Sequence, residues 1–473
     1  MNAKKILICL LALCLALSCI TACGNKDKTS NGVEETTDAP IDTTPVEIED
    51  EGINFWVENN AGFDGAVEGA AADFETEIKN GSATILSYKG TQEHLIIPST
   101  IDGLPVTAIA DGAFAENETL KTLILPESIT TIGEGILAGC KTLHSLETPL
   151  MGANKESEQY LGYLFGATTH KDNPLKIPAS LACLRISAEW NILPAYALFD
   201  CNDLICLSLP ENVTVIEKYA LFNCKSLKQI DELERIVTFG DRALMDCAAL
   251  QTITLSNSLQ TVGFGAFEGC TSIRALTLPF VGRTHTENTY LGYIFGAAQP
   301  DFAKGFYPKN LARITLTNAC QTLGNYAFFE CESLKEITLP EGLTSIGVRA
   351  FYGCIRLWSI KLPNTVTTVR ELAFANCDAL TTIDFGGGLT QIGINAFYNC
   401  DSLAEITLPT TLKSLPASCF AGCTSLTKVD LGGVVEVGAE AFRHCNAITT
   451  VTSNQEVDFG KGNDSVKSIL NPK

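Results

Sequence analysis

The sequence is poor in basic residues and in histidine. Its 473 residues include 33 Lys and Arg against 54 Asp and Glu, which gives a net charge of −21. Nucleic acid is therefore not expected as a partner, because phosphate contacts need a basic face, and protein charge is not expected to hold anionic lipid headgroups. The five histidines lack metal-ligand spacing, and HExxH, Walker and GxSxG motifs are absent. These absences predict a protein that is not an enzyme and that uses no metal or cofactor.

Long apolar runs are missing after the N-terminus. Two lysines precede an apolar run from Ile6 to Leu17, which is too short to span a bilayer and is typical of a secretory signal. The run leads to Ile20-Thr21-Ala22-Cys23, which closely resembles the lipobox of bacterial lipoproteins. The resemblance implies a signal peptide at 1–22 and a lipidated Cys23. The alternatives are an ordinary signal peptide with an incidental cysteine, or an uncleaved anchor.

The segment that follows, 23–52, has almost no large apolar residues. After Cys23 it contains nine acidic residues and two lysines, with five threonines and two prolines. Such a composition cannot bury enough surface to fold, so we expect a disordered, extended tether. The lipid would be the membrane contact, and the folded part would begin near residue 53.

Most of the remaining chain repeats with a period of 23 residues. One unit reads LWSIKLPNTVTTVRELAFANCDA from Leu357, with apolar residues at positions 1, 4, 6, 10 and 13, Ala-Phe at 17 and 18, and Cys at 21. Ten units of 23, one of 22 and two of 38 account for 120–447, and the long units lie at 143–180 and 273–310. A fixed period in the twenties indicates a solenoid rather than several globular domains.

The unit predicts the shape of one coil. Positions 4 and 6 alternate inward as a short strand, and the frequent proline at 7 stops it because it lacks an amide. Positions 13, 17, 18 and 21 form a helical stripe, which predicts a short helix or a 3₁₀ turn. The fold class is therefore an α/β solenoid: an arc of about 13 coils with one short parallel strand each and capping ends.

The repeated pattern LxxIxLPxxLTxIGxxAFxxC resembles the leucine-rich repeats of BspA-like, treponemal-type surface lipoproteins of bacteria, from residue 95 to about 452. The resemblance implies an extracytoplasmic, membrane-anchored protein at the bacterial cell surface that adheres to host matrix proteins or to other cells. Phe74 to Gly90 reads as a hairpin with an Asn80-Gly81 turn, so 53–119 is interpreted as an N-terminal cap with the first coil. The tail, 448–473, is interpreted as the C-terminal cap.

The cysteines follow the repeat. Eleven stand at position 21, where buried thiols are favoured over a disulfide staircase or a metal tape, because side chains stacked in a line do not converge. Cys183 and Cys206 are different, since both occupy position 3 on the outward strand face of consecutive coils. Strand neighbours lie within disulfide range, so a cross-strand bond is one hypothesis. Two free thiols are the other, and the sequence favours them slightly.

The two long units share a second pattern, QYLGYLFGATTH from Gln159 and TYLGYIFGAAQP from Thr289. Alternating large residues predict a half-buried strand in each, so the favoured interpretation is an extra hairpin packed on the solenoid edge. The alternative is a protruding loop that touches a partner. The candidate insertion contacts are Tyr163, Phe165, Tyr293 and Phe295, with His170 or His285.

Outward positions 3 and 5 of the strands would line the inner face of the arc, where solenoids commonly bind. This candidate ligand face is polar with few aromatics, although threonine also favours strand surfaces for its own sake. Its residues are Thr252, Thr254, Arg313, Thr315, Glu336, Thr338, Ser359, Lys361, Thr382, Asp384, Glu405, Thr407, Lys428 and Asp430.

Three functions remain open from the sequence. The first is adhesion to a protein or glycan on a host or neighbouring cell. The second is a lipoprotein receptor that captures a glycan or peptide for a transporter. The third is a structural component of the surface layer.

Overall fold

The computed structural model describes residues 63–187 and 189–470. Within these ranges the chain winds as a parallel β-solenoid of about 16 turns, which confirms the predicted solenoid of leucine-rich repeats. Each ordinary coil has two short strands, one near positions 3 to 5 and a second near 12 and 13. The described part of the chain contains no helix whose length and apolar character would let it cross a membrane.

In four separate sheets, the first strands of successive coils pair in parallel, with side chains at the same repeat position side by side. They are Val67–Glu68, His94–Ile96, Thr122–Ile124, Ser145–Thr148, Cys183–Ile186, Cys206–Ser208, Gln229–Ile230, Thr252–Thr254, Ala275–Leu278, Arg313–Leu316, Glu336–Thr338, Ser359–Lys361, Thr382–Asp384, Glu405–Thr407, Lys428–Asp430 and Thr450–Thr452.

The second strands form the other side of the coil. They are Leu104–Ile109, Thr131–Ile132, Ile192–Leu193, Val215–Ile216, Thr238–Phe239, Thr261–Val262, Thr322–Leu323, Ser345–Ile346, Thr368–Val369, Gln391–Ile392, Ser414–Leu415, Glu436–Val437 and Asp458–Phe459. Position 13, which the repeat pattern assigned to the helical stripe, lies in this strand instead, because two residues are too few to show an alternating pattern.

The arm that carries positions 15 to 20 is a run of turns in the ordinary coils, where the sequence suggested a short helix or 3₁₀ turn. Two residues in it take a left-handed backbone, as at Arg349 (φ 53°) and Gly353 (φ 71°). A right-handed helix cannot continue through a positive φ, so the amides turn toward the next coil instead. Phe351 N donates to Ala373 O at 2.7 Å and Gly353 N to Ala375 O at 2.9 Å.

The core is built from rows of identical positions. Position 18 forms a stack of phenylalanine rings with centroids 5.0–5.2 Å apart. These rings are Phe328, Phe351, Phe374, Phe397 and Phe420. Each is fully buried, so each ring packs against its copies in the adjacent coils. One coil alone would leave this row in water, which is why stacking is required for stability.

The position-21 cysteines are buried free thiols, as the sequence favoured. In nine described coils the thiol donates to the backbone carbonyl of position 18 in the preceding coil, at 3.0–3.3 Å. Cys354 bonded to Phe328 O is one example. Burial raises the pKa of Cys140 to about 11 and that of Cys331 to about 12, so these groups stay neutral thiols at physiological pH.

The two long coils keep the first strand and interrupt the second. Ser145–Thr148 pairs directly with Cys183–Ile186 across the first of them, and Ala275–Leu278 with Arg313–Leu316 across the second. The second-strand sheet stops at each long coil and resumes in the coil after it. The additional residues contain short helices, Leu161–Phe165, His170–Asp172 and Asn173–Lys176 in the first, and Leu291–Phe295 and Pro300–Gly305 in the second.

Both ends of the described solenoid carry additional structure. Near the start, the 3₁₀ turn Ala71–Asp73 precedes the hairpin of Phe74–Lys79 and Ser82–Tyr88, which continues the second-strand sheet, and Thr100–Ile101 pairs antiparallel with Leu104–Ile109. A further 3₁₀ turn, Leu233–Arg235, lies within the solenoid. At the far end the helix Asp464–Leu470 buries Val466. Asn463 closes the last turn, because its Oδ1 accepts from Phe442 N at 3.2 Å. Its Nδ2 donates to Gly438 O at 2.9 Å.

Candidate functional site

The first-strand face is the surface formed by side chains at positions 3 and 5 of the first strands. From Thr252 onward the structure places the predicted ligand residues together on it, with Thr252, Thr254 and Thr382 exposed and Arg313 and Glu336 partly exposed. Inward neighbours such as Ile253 are buried, so the alternation of each strand sets which side chains reach solvent.

Opposite charges on the first-strand face are paired across adjacent strands. Arg313 Nε lies 3.1 Å from Glu336 Oε2, and Lys428 Nζ lies 3.4 Å from Glu405 Oε2. Lys361 Nζ and Asp384 Oδ2 are 3.9 Å apart. Exposed pairs of this kind contribute little stability, but they leave the face close to electrically neutral in a strongly acidic chain.

Threonine hydroxyls form a row on this face. Thr254, Thr277, Thr315 and Thr338 occupy position 5 of four successive coils, and the strand pairing places each directly beside the next. The row offers repeated donors and acceptors at the spacing of neighbouring strands.

Trp358 is a candidate that the sequence reasoning missed. It occupies position 2, beside Ser359, and is partly exposed at the margin of the first-strand face. Its indole Nε1 is buried and makes no hydrogen bond within the described residues. Tryptophan is enriched where binding energy concentrates, and the chain has only three, so its rarity was an available signal.

The first coils depart from the prediction that position 3 faces solvent. Thr122, Ser145, Cys183 and Cys206 are each no more than 2% exposed. Phe63 packs against Cys183 and Cys206, and the two cysteines are joined as a disulfide with their Cα atoms 4.9 Å apart. The bond is thus the alternative that the sequence ranked slightly lower. Cys23, the predicted lipidation site, lies outside the described residues.

The predicted strand in the long coils is wrong. Leu161–Phe165 and Leu291–Phe295 are 3₁₀ helices that bury residues three apart, such as Leu161 with Leu164. Phe165 and Phe295 are 2% and 1% exposed, so neither can contact a partner. The expected packing on the solenoid edge is present, without the hairpin.

Tyr163 and Tyr293 are only partly exposed, and each packs against the core. Tyr163 donates its hydroxyl to Ile132 O at 3.1 Å. His170 stacks on Tyr196 with ring centroids 4.4 Å apart, and His285 lies 4.7 Å from the Phe280 ring. The predicted insertion contacts therefore serve mainly to attach the long coils to the solenoid.

Three large apolar side chains elsewhere in the long coils are exposed. They are Leu175 (80% exposed) in the first, and Phe302 (68%) and Phe306 (41%) in the second. The alternating pattern of large residues did not point to them, because they lie in the irregular second half of each long unit. No cluster of three His, Cys, Asp or Glu side chains suited to a metal ion occurs among the described residues.

The repeat is matched by a family model. The model for the BspA type leucine rich repeat region, in six copies, matches residues 85–160, 180–291, 303–400 and 344–462. These ranges cover most of the chain and include the whole of the candidate ligand face. No curated protein matches the sequence.

Several solved structures of bacterial proteins are similar. A leucine rich cell surface protein from Faecalibacterium prausnitzii is 21% identical, with 76% of this chain and 92% of that chain covered and a TM-score of 0.31. A leucine-rich repeat protein from Bacteroides ovatus is 18% identical, with 82% and 97% covered and a TM-score of 0.33. The leucine rich repeat protein of T. pallidum is 18% identical, with 81% and 91% covered and a TM-score of 0.20. Because each TM-score is below 0.5, the fold rests on the repeat match and on the coils themselves.

Proposed function

This chain belongs to the BspA-type leucine-rich repeat family, and we propose that it is a surface-anchored binding protein whose first-strand face from Thr252 to Asp430 holds a macromolecule of a host or neighbouring cell. The lipobox at Cys23 would anchor it outside the cytoplasm, and the acidic segment 23–52 would hold the solenoid away from the membrane. In this function the chain binds and adheres, and performs no catalysis.

The observation that carries the proposal is the exposed, charge-balanced first-strand face. A long surface of exposed polar residues on regularly spaced strands suits a partner that is itself extended. Since its charges already pair with each other, as Lys361 does with Asp384, electrostatic steering would contribute little to association. Binding should therefore depend only weakly on salt concentration.

A second candidate is capture of a glycan or peptide for a transporter. The threonine row and the partly exposed Trp358 favour a glycan, because hydroxyl groups and an aromatic ring suit the polar and apolar faces of a sugar. The two candidates share one surface and differ in the ligand.

Arrays of matrix proteins and of glycans, probed with the full chain in mild detergent, separate them. Binding to matrix proteins without a glycan signal supports adhesion, and the reverse pattern supports capture. Thr338→Arg places a bulky charge on the first-strand face and should lower affinity at least tenfold. Thr344→Arg, also exposed but next to the second strand of the same coil, is the matched control. Equal effects of the two variants would reject this face as the site.

A further inference from the structure

The first-strand face is open in one part of the solenoid and closed in another. The first strands have the same parallel register in both parts, with Cys183 beside Cys206 in one and Arg313 beside Glu336 in the other. Position 3 is nevertheless buried at Cys183 and Cys206, and exposed or partly exposed at Glu336 and Thr382. The disulfide and Ala182 bury these positions in part, and a residue from outside the repeat, Phe63, packs on them as well.

Phe63 is the covering residue at these two coils. Its side chain is 8% exposed and forms a small apolar cluster with Ala182, Cys183 and Cys206, separate from the main core. The Arg185 guanidinium lies 4.4 Å from the centre of the Phe63 ring, within the range of a cation–π contact. The ring thus contacts both a charged group and the disulfide, on the surface that is open further along the chain.

The contact is made by the Phe63 side chain alone, and a short turn connects Phe63 to the first strand. Ala66 N donates to Phe63 O at 3.4 Å, while Asp64 and Gly65 between them are exposed. The next residues enter the first strand at Val67–Glu68. Within the described part of the chain, the exposed residues Asp64 and Gly65 do not anchor this turn, so Phe63 can leave the surface without unfolding a coil.

Arg185 is held in place for this contact from its other side. Its Nη1 lies 2.9 Å from Glu147 Oε2, and both side chains are partly buried. A guanidinium fixed by a carboxylate presents a flat surface over the ring at little entropic cost. The receiving surface is thus formed by three successive coils, whereas the inserted group is a single residue.

We propose that Phe63 is an intramolecular lid, which closes the first-strand face of the coils at Leu181 and Leu204 and must be released before a partner can reach that part of the face. In the closed form the open part of the face then begins after the coil at Leu204, where Gln229 is partly exposed. Burial of one phenylalanine with a cation–π contact favours the closed form on the order of 100-fold. The proposal goes beyond the proposed function and does not depend on which partner binds.

The disulfide under Phe63 reports opening of the lid. A dithiol reductant attacks one sulfur as the thiolate and forms a mixed disulfide, and its second thiol then closes the reductant's own disulfide. Cys183 and Cys206 each leave as a thiol, so the two electrons and two protons come from the dithiol. Attack needs access to sulfur, so the reduction rate of the native protein follows the fraction of open lid.

The experiment exposes the full chain, in mild detergent, to dithiothreitol for increasing times and labels new thiols with a maleimide. Peptide mass spectrometry then separates Cys183 and Cys206 from the other cysteines. Reduction should be slow in the wild type, at least tenfold faster in Phe63→Ala, and intermediate in Phe63→Leu. Val67→Ala is the control, since Val67 belongs to the same N-terminal segment and is 60% exposed.

Equal reduction rates in the wild type and Phe63→Ala would overturn the proposal. If Phe63→Ala unfolds, the buried position-21 thiols will also be labelled, and Phe63→Leu then decides. A faster rate in Phe63→Leu with these thiols still protected supports the lid, and an unchanged rate rejects it. Loss of partner binding in Thr338→Arg tests the proposed function separately.

Discussion

The two long coils have similar backbones, but a different side chain in each donates the hydrogen bond to the carbonyl of the following coil. In the first, Asn173 Nδ2 donates to Phe199 O at 2.7 Å. In the second, Tyr307 donates its hydroxyl to Phe329 O at 3.1 Å, and the position equivalent to Asn173 is Ala303. A carbonyl exposed by the irregular coil needs a donor, and the donor can come from either of two neighbouring positions. What the two copies retain is the hydrogen bond, whereas the residue that makes it has changed.

The hydrogen bonds and turns that both long coils share identify the groups that the long coil needs to form. Tyr160 donates to Ala167 O at 3.1 Å, and Tyr290 donates to Ala297 O at 3.0 Å. Each 3₁₀ helix ends at a glycine with positive φ, 78° at Gly166 and 92° at Gly296. These groups form the turn itself, so the freedom to vary lies in the residues that attach it to the following coil.

Removal of the Asn173 amide should have the largest effect. Asn173→Ala removes the acceptor of Gly162 N, which donates to Asn173 Oδ1 at 3.2 Å, and leaves Phe199 O only the long contact from Cys201 Sγ at 4.0 Å. Each unpaired buried group costs about 1–3 kcal/mol, so we expect a loss of about 3 kcal/mol in the free energy of unfolding. Urea unfolding measures it. Leu175→Ala, at an exposed site two residues away, should stay within about 0.5 kcal/mol, and an equal loss there would refute the assignment.

Introducing the hydroxyl donor of the second long coil into the first should restore part of the lost free energy of unfolding. Ile177 is the residue equivalent to Tyr307, so Asn173→Ala with Ile177→Tyr reproduces the pair of the second coil. The new hydroxyl should recover about 1 kcal/mol compared with Asn173→Ala with Ile177→Phe, which has the ring without the donor. If the Tyr and Phe variants unfold at the same urea concentration, the two positions are not interchangeable donors.

Removal of the hydroxyl from the second copy should cost less than removal of Asn173. Tyr307→Phe loses one hydrogen bond and keeps the buried ring, so we expect about 1 kcal/mol in thermal or urea unfolding. Burial raises the pKa of Tyr307 well above its usual range, so the hydroxyl remains a donor at any pH used for the measurement. Tyr398→Phe, at a ring 40% exposed, is the control and should be neutral.

Much of this architecture could be predicted from the sequence because it repeats. The apolar rungs, the first strand and the buried position-21 thiols recur in coil after coil, and repetition turns a weak local pattern into a strong one. The arm at positions 15 to 20 was harder to predict, because Arg349 and Leu372 adopt positive φ and neither residue type is typical of a left-handed backbone. Their backbone is imposed by stacking on the adjacent coils.

Features that occur once, or that change between copies, could not be predicted in the same way. Phe63 lies 120 residues before Cys183 in a segment without repeats, so only the folded chain brings them together. Asn173 and Tyr307 occupy different repeat positions, and a comparison of equivalent positions hides their common role. The candidate ligand face itself was found because alternation fixes the direction of its side chains.

The smallest expected effect concerns pH, and it again separates the two long coils. His170 packs against Tyr196 and Phe199 in the first, where the second has Pro300. Burial against these rings, with Lys171 nearby, lowers the pKa of His170. The unfolded chain therefore binds a proton more readily than the fold does, so stability is complete above the unfolded pKa near 6.5 and falls as the pH drops below it.

Because His170 is still partly exposed and its charged form can be solvated, we expect a loss of only a few tenths of a kcal/mol between pH 7.5 and 5.5. Thermal unfolding of the wild type and of His170→Gln at both pH values isolates this contribution, since the variant should lack it. His444→Asn is the control, because His444 is exposed and lies at φ 63°, which asparagine tolerates. A pH dependence that survives in His170→Gln and disappears in His444→Asn would place the titrating group outside the first long coil, and the two coils would then differ in their hydrogen bonds alone.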